Sequence, residues 1–155
     1  MKFNKQTLID THCHFDFPVF DKHRENILNA CEKQSLKQIV VPGVCAQHWQ
    51  RILQLSQKYQ AIYPALGLHP CFLHEHQQSD LQGLKQLCET ESLVAIGEIG
   101  LDYYNRADKT NAQFKPSSAD KEKQNWYFSQ QLQLAGKHCL PVLIHARRAH
   151  NDVLE

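Results

Sequence analysis

The sequence lacks a dominant charge. Its 17 Lys and Arg balance 16 Asp and Glu, leaving a net charge of +1 with histidine neutral. Without a basic excess, any contact with nucleic acid or a membrane surface has to be local, at a site. A long apolar run is also missing, which argues against a membrane span or a signal peptide. The six cysteines (Cys13, Cys31, Cys45, Cys71, Cys88 and Cys139) are scattered and form no CxxC pair. They are therefore expected to be reduced thiols of a cytoplasmic protein. No internal repeat is present. What the chain does have in excess is histidine, ten residues in 155. That count favours metal chemistry, and it also raises the rate of chance motifs.

Short β-rich runs alternate with helical patterns. The expected strands are Thr7–Thr11, Gln38–Pro42, Ile62–Gly67, Leu93–Ile96 and Pro141–His145. Between them, Ile27/Ala30/Cys31, Trp49/Ile52/Leu53, Leu81/Leu84/Cys88 and Phe128/Leu132/Ala135/Cys139 fall at helical spacing. Asp21 and Asp80 are expected N-caps. The strands are nearly continuous apolar runs, which suits a parallel sheet covered on both faces. Strand–helix alternation implies βαβ units with right-handed crossovers. A fifth helix begins near Ala149. The expected fold is α/β, a TIM-like (β/α)8 barrel of which about the first five strands are present. A complete barrel needs about 250 residues, so residues 1–155 are expected to form one incomplete domain. The polar segment Asn105–Asp120 reads as a loop, either a lid or a disordered insertion.

Chemistry-bearing residues follow the strands. In "LIDTHCHFD", His12 and His14 lie two apart, so an extended backbone points both to one side and turns Cys13 away. Imidazole nitrogen is a good ligand for divalent transition metals, and Asp10 lies close by in sequence. The pair "HEH", His74 to His76, has the same spacing but no strand before it, and reads as a chance pair. In "PALGLHPCF", His69 follows a strand; it either serves substrate or a metal, or is a loop histidine satisfied by backbone. In "AIGEIGLDYY", Glu98 sits between Gly97 and Gly100 in an apolar setting. A carboxylate there is costly unless paired or bound to a metal, the alternative being a salt-bridged group at a sheet edge. Asp102 is placed to orient a ligand histidine. In "LPVLIHARRAH", His145 ends another strand, and Arg147 and Arg148 follow it as candidates to meet anions, one of them a plain surface charge. His150 reads as an exposed helix start.

Taken together, "IDTHCHFD", "PALGLHP", "AIGEIGLDYY", "QNWYFSQQLQLA" and "LPVLIHARRAH" resemble the TatD family of metal-dependent hydrolases within the amidohydrolase-like barrels, in the family's order from Leu8 to His150. The resemblance implies two divalent metal ions (Mg, Mn or Zn). His12 and His14 would bind one, Glu98 would bridge both, and His145 would bind the other. It implies a catalytic part for His69 as well as Glu98, with Asp102 and Arg147 supporting the shell or the substrate. The implied reaction is phosphodiester hydrolysis of DNA, single-stranded by preference and as a 3′-5′ exonuclease, by a metal-activated water. Neither a membrane nor an obligate protein partner is implied. The family's further metal-binding histidine at the sixth strand and aspartate at the eighth have no match up to Glu155, so the chain is expected to be C-terminally truncated. The alternatives are a hydrolase of another ester or amide on the same barrel, or an inactive fragment with open sheet edges and poor stability.

Overall fold

In the computed structural model, residues 7–104, 106–107, 113–114 and 116–155 are described. Five parallel strands form the main sheet: β1 (Leu8–Asp10), β2 (Leu36–Pro42), β3 (Ile62–Leu66), β4 (Ala95–Asp102) and β7 (Val142–Arg147). Their spatial order, β1-β2-β3-β4-β7, follows the chain, and every neighbouring pair is parallel. That order decides the architecture. A doubly wound sheet reverses its strand order at a switch point, whereas a (β/α)8 barrel adds each strand beside the last. The sheet is accordingly a curled half-barrel. Helices α1 (Arg24–Lys33), α2 (Ala46–Lys58), α3 (Gln78–Thr90) and α4 (Ser118–His138) link successive strands, and α5 (His150–Leu154) follows the last.

Burial separates the strands into two kinds. All eight residues of β4 are buried, and Val41, Leu66, Ile96, Ile99 and Leu101 are fully enclosed. Ile52 of α2 and Leu84 of α3 close the outer layer of the core against them. The edge strands are open: Leu8 and Ile9 of β1 are 51% and 53% exposed, and Ile144 of β7 is 46% exposed.

Several boundaries differ from expectation. The fourth strand does not stop at Ile96 but continues to Asp102, so Glu98 lies inside it. Gly97 and Gly100 in this stretch let β7 approach closely. A Cβ on Gly100, whose φ is +132°, would sit 2.0 Å from the His145 carbonyl oxygen. β7 runs two residues past His145, to Arg147. Asp80 is the third residue of α3, where its carboxylate accepts the Gln77 N–H. Asp21 ends the 3-10 turn Pro18–Phe20 and binds Arg24 and Arg51 rather than capping α1, which follows His23. The expected loop ends early because Ser117 and Asp120 form a reciprocal capping box that starts α4. Within that segment, β5 (Arg106–Ala107) pairs antiparallel with β6 (Gln113–Phe114). The rest of residues 105–115, and with it the choice between lid and insertion, lies outside the described residues.

The buried face of α4 also differs. Leu132 and Cys139, assigned to it by periodicity, are exposed, while Gln124 and Gln131 are buried beside Tyr127, Phe128 and Ala135. Each glutamine acts as a peptide mimic. Gln124 accepts from the Asp102 N–H and donates to the Asp102 carbonyl. Gln131 does the same at Leu68 and also donates to the Tyr127 carbonyl. Buried backbone groups that leave a sheet need such partners. The two amides thus fix the exits of β4 and β3, the segments that carry Asp102 and His69.

A candidate metal centre

The Glu98 carboxylate is the hub of the rim, and its two oxygens divide the surrounding imidazoles between them. Oε2 stands 3.1 Å from His12 Nε2 and 3.3 Å from His14 Nε2. Oε1 stands 3.2 Å from His145 Nδ1 and 3.4 Å from His69 Nε2. The first pair follows β1, His145 is on β7, and His69 follows β3. Two ligands on one ion with bonds of about 2.0–2.2 Å stand roughly 3.0–3.5 Å apart. All four separations fall in that interval.

The far side of each ring shows which nitrogen is available. His14 Nδ1 lies 3.3 Å from the Pro42 carbonyl, which can only accept, so Nδ1 carries the proton. His145 Nε2 lies 3.1 Å from the Asp102 carboxylate and likewise donates. Each ring therefore turns a lone pair toward Glu98, the tautomer a metal ligand requires. Lone pairs facing a carboxylate repel unless a cation stands between. Hydrogen bonding to Glu98 accordingly raises the pKa of both His14 and His145 above the ordinary histidine value, since a proton there eases the repulsion. Burial pushes the Glu98 pKa upward, but its contacts with His14, His145 and His69 overcome this and hold it well below the carboxylate range. The same arrangement that favours protons there favours a divalent ion.

His69 has the opposite character. Its Nδ1 accepts from the Cys71 N–H at 3.0 Å, so in the neutral ring the proton is on Nε2 and points at Glu98. Burial lowers its pKa and keeps it neutral. It is a hydrogen-bond donor in the site, with its ring 4.3 Å from that of His145. Two residues hold it: its own N–H reaches the Val44 carbonyl, and His76 Nε2 donates to its carbonyl at 2.8 Å.

Asp102 is 4% exposed, its Oδ2 lies beside His145 Nε2, and its other oxygen accepts from the Tyr104 N–H. Asp10 holds the backbone N–H of His12. Arg147 stays on the rim in register with Asp102, its guanidinium carbon 3.6 Å from the centre of the Tyr104 ring. His150 is exposed at the start of α5. Behind His14, its ring stacks on Phe17, whose edge meets His48. His48 Nδ1 lies 3.4 Å from the buried Asp16, whose pKa is raised by burial.

Four contributors went unrecognised in the sequence. His76 looked like half of a chance pair. Cys71 looked like one scattered thiol, yet its Sγ lies 3.1 Å from Asp102 Oδ2. Gln124 and Gln131 carried a faint signal, two amides seven apart on the apolar side of a helix. Donor groups cluster in two sets among the described residues: His12, His14 and Glu98, and His69, Cys71 and His145.

Comparison with known proteins places the sequence and the fold. The family profile described as TatD related DNase matches residues 9–155. The uncharacterized metal-dependent hydrolase YjjV of Escherichia coli K12 is 41% identical over 147 residues, covering 94% of this chain and 52% of that protein. Its crystal structure superimposes with a TM-score of 0.81 at 38% identity, over 94% of this chain and 53% of that one. Human deoxyribonuclease TATDN3 is 34% identical over 92% of this chain and 53% of its own length. The 3′-5′ ssDNA/RNA exonuclease TatD of Erwinia tasmaniensis is 30% identical over 84% of this chain and 47% of its own. The chain spans about half the length of the curated relatives it matches.

Proposed function

The chain belongs to the TatD-related DNase family, and from that footing we propose that it carries the metal-holding rim of a hydrolase that cleaves phosphodiesters of single-stranded DNA from the 3′ end. The observation that carries this reading is the Glu98 carboxylate with two imidazoles at each oxygen, brought there by β1, β3 and β7. In this reading His12, His14 and Glu98 hold one divalent ion, and Glu98 and His145 share in holding a second, of Mg, Mn or Zn. Such ions, when bound, activate water and offset the charge that develops on phosphorus-bound oxygens. Asp102 keeps His145 in the ligand tautomer by accepting a hydrogen bond from its Nε2–H. His69 offers a neutral N–H donor, with no charge that would repel a cation. Arg147, stacked on Tyr104, presents a planar cation at the rim to the phosphate backbone. The net charge of +1 supports a site that reads phosphate locally. Six cysteines, none in a CxxC pair, support a reducing compartment, the cytoplasm; no helix among the described residues is long and apolar enough to cross a membrane.

The test is the natural full-length protein with Mg²⁺ or Mn²⁺ and a single-stranded oligonucleotide labelled at the 5′ end. The expected product is a ladder shortened from the 3′ end, lost in Glu98→Gln. Cleavage by Glu98→Gln equal to wild type would overturn the reading. Preference for a carboxylic ester or an amide over DNA would transfer the same rim to another substrate class.

A further inference from the structure

Beside the Glu98 hub lies a second set of donors of different chemical character. Cys71 sits in the 3-10 turn Pro70–Phe72, directly after His69 and Pro70. Its Sγ is 3.1 Å from Asp102 Oδ2, and that same oxygen is 3.1 Å from His145 Nε2. His69, Cys71 and His145 each bring a ligand atom within 4.8 Å of the others. This sulfur, nitrogen and carboxylate set lies on the His145 side, away from the Oε2 corner formed by His12 and His14. Neither Cys71 nor His145 is fully enclosed, so ions can enter.

We propose that Cys71, His145 and Asp102 form a soft-metal site that takes Zn²⁺ and competes with the harder catalytic cations for His145. The inference rests on the reading of Glu98 as a metal ligand given above. Two arguments support it. Thiolate ligands select zinc and cobalt over magnesium and manganese, which prefer oxygen. The second concerns the His145 ring, which faces both sites with one nitrogen each. A neutral imidazole has one lone pair and one N–H. With the proton on Nε2, the lone pair of Nδ1 serves the Glu98 side. An ion between Cys71 and Asp102 takes the lone pair of Nε2 and leaves the proton on Nδ1, where it donates to Glu98. Zinc capture therefore releases the thiol proton to solvent, exchanges the His145 proton from Nε2 to Nδ1 through solvent, and removes His145 from the catalytic set. The two sites exclude one another through a tautomer.

Cobalt(II) titration of the full-length protein tests this, because a sulfur ligand adds a near-ultraviolet charge-transfer band to the visible bands that any nitrogen and oxygen cage gives. The band is expected in wild type and in Cys13→Ser, and absent in Cys71→Ser, whose visible bands remain. Zn²⁺ added to the Mn²⁺-loaded protein should displace Mn²⁺, read by the return of its free-ion resonance signal, at roughly tenfold lower concentration in wild type than in Cys71→Ser. Visible bands without a charge-transfer band overturn the soft-metal site and leave the Glu98 reading intact. A protein that gives no cobalt spectrum at all overturns both.

Discussion

The His12–His14 pair and the His74–His76 pair share a spacing and part company in everything else. The first leaves β1 with both rings on one side, and both reach Glu98 Oε2. The second lies between the Pro70–Phe72 segment and α3, and its two rings have different surroundings. His74 is exposed, with its side chain 77% accessible, beside Glu75. His76 is 5% exposed and holds the His69 carbonyl. Spacing sets only which side a ring can face, and only on extended backbone. What the ring then does depends on the partner waiting there: a carboxylate that invites a cation, or a carbonyl that needs a donor.

The largest effect expected to follow from this contrast is at Glu98. Glu98→Gln keeps the shape and removes the charge, and should weaken metal binding by more than about 100-fold in calorimetric titration. Retained affinity would mean that the pair binds ions unaided and that the two pairs differ less than their partners suggest. His14→Ala should follow, with a loss of roughly 10–100-fold in metal affinity. At the other pair, His76→Leu should leave metal affinity little changed while costing about 1–3 kcal/mol of stability in urea unfolding, since it strands a buried carbonyl. Smallest of all, His74→Ala should alter neither quantity; a measurable loss of metal there would dissolve the contrast.

One histidine of each pair, His14 and His76, should also titrate in opposite senses, in chelator-treated protein. Hydrogen bonding to Glu98 raises the His14 pKa, so its stabilising contribution is complete below about pH 6.5 and fades as pH rises through the raised value. Burial lowers the His76 pKa, so its contribution is complete above about pH 6.5 and fades as pH falls through the lowered value. Melting temperatures across pH 5 to 8 (about the histidine range) should lose their high-pH decline in Glu98→Gln and their low-pH decline in His76→Leu. Identical profiles for the two variants would remove the distinction.

The sequence made the sheet legible because its strands are apolar runs in strict alternation with helices, and the residues gathered at Glu98 legible because they lie in or just after the C-terminal ends of those strands. Other features had no such signature. β4 runs on through Gly97 and Gly100, residues that ordinarily punctuate a strand, because β7 comes too close for side chains. Gln124 and Gln131 fill places on α4 that periodicity reserves for apolar groups, since unpaired backbone at two strand exits must be met by amides. Cys71 depends on the turn after His69 folding back toward β4, a tertiary fact invisible in spacing.

One consequence of the strand order concerns assembly. Glu98 lies in an inner strand, while three of its four histidines come from the two edges of the sheet, 86 residues earlier in the case of His12 and 47 later in the case of His145. An ion gripped there clasps the first and last strands to the middle one, closing two long loops much as a crosslink would. Metal affinity and edge docking become one equilibrium, so each adds to the other. Amide exchange should slow on β1 and β7 when metal is added and change little in β2 and β3, making the fraying of the edges a direct gauge of how firmly the centre is held.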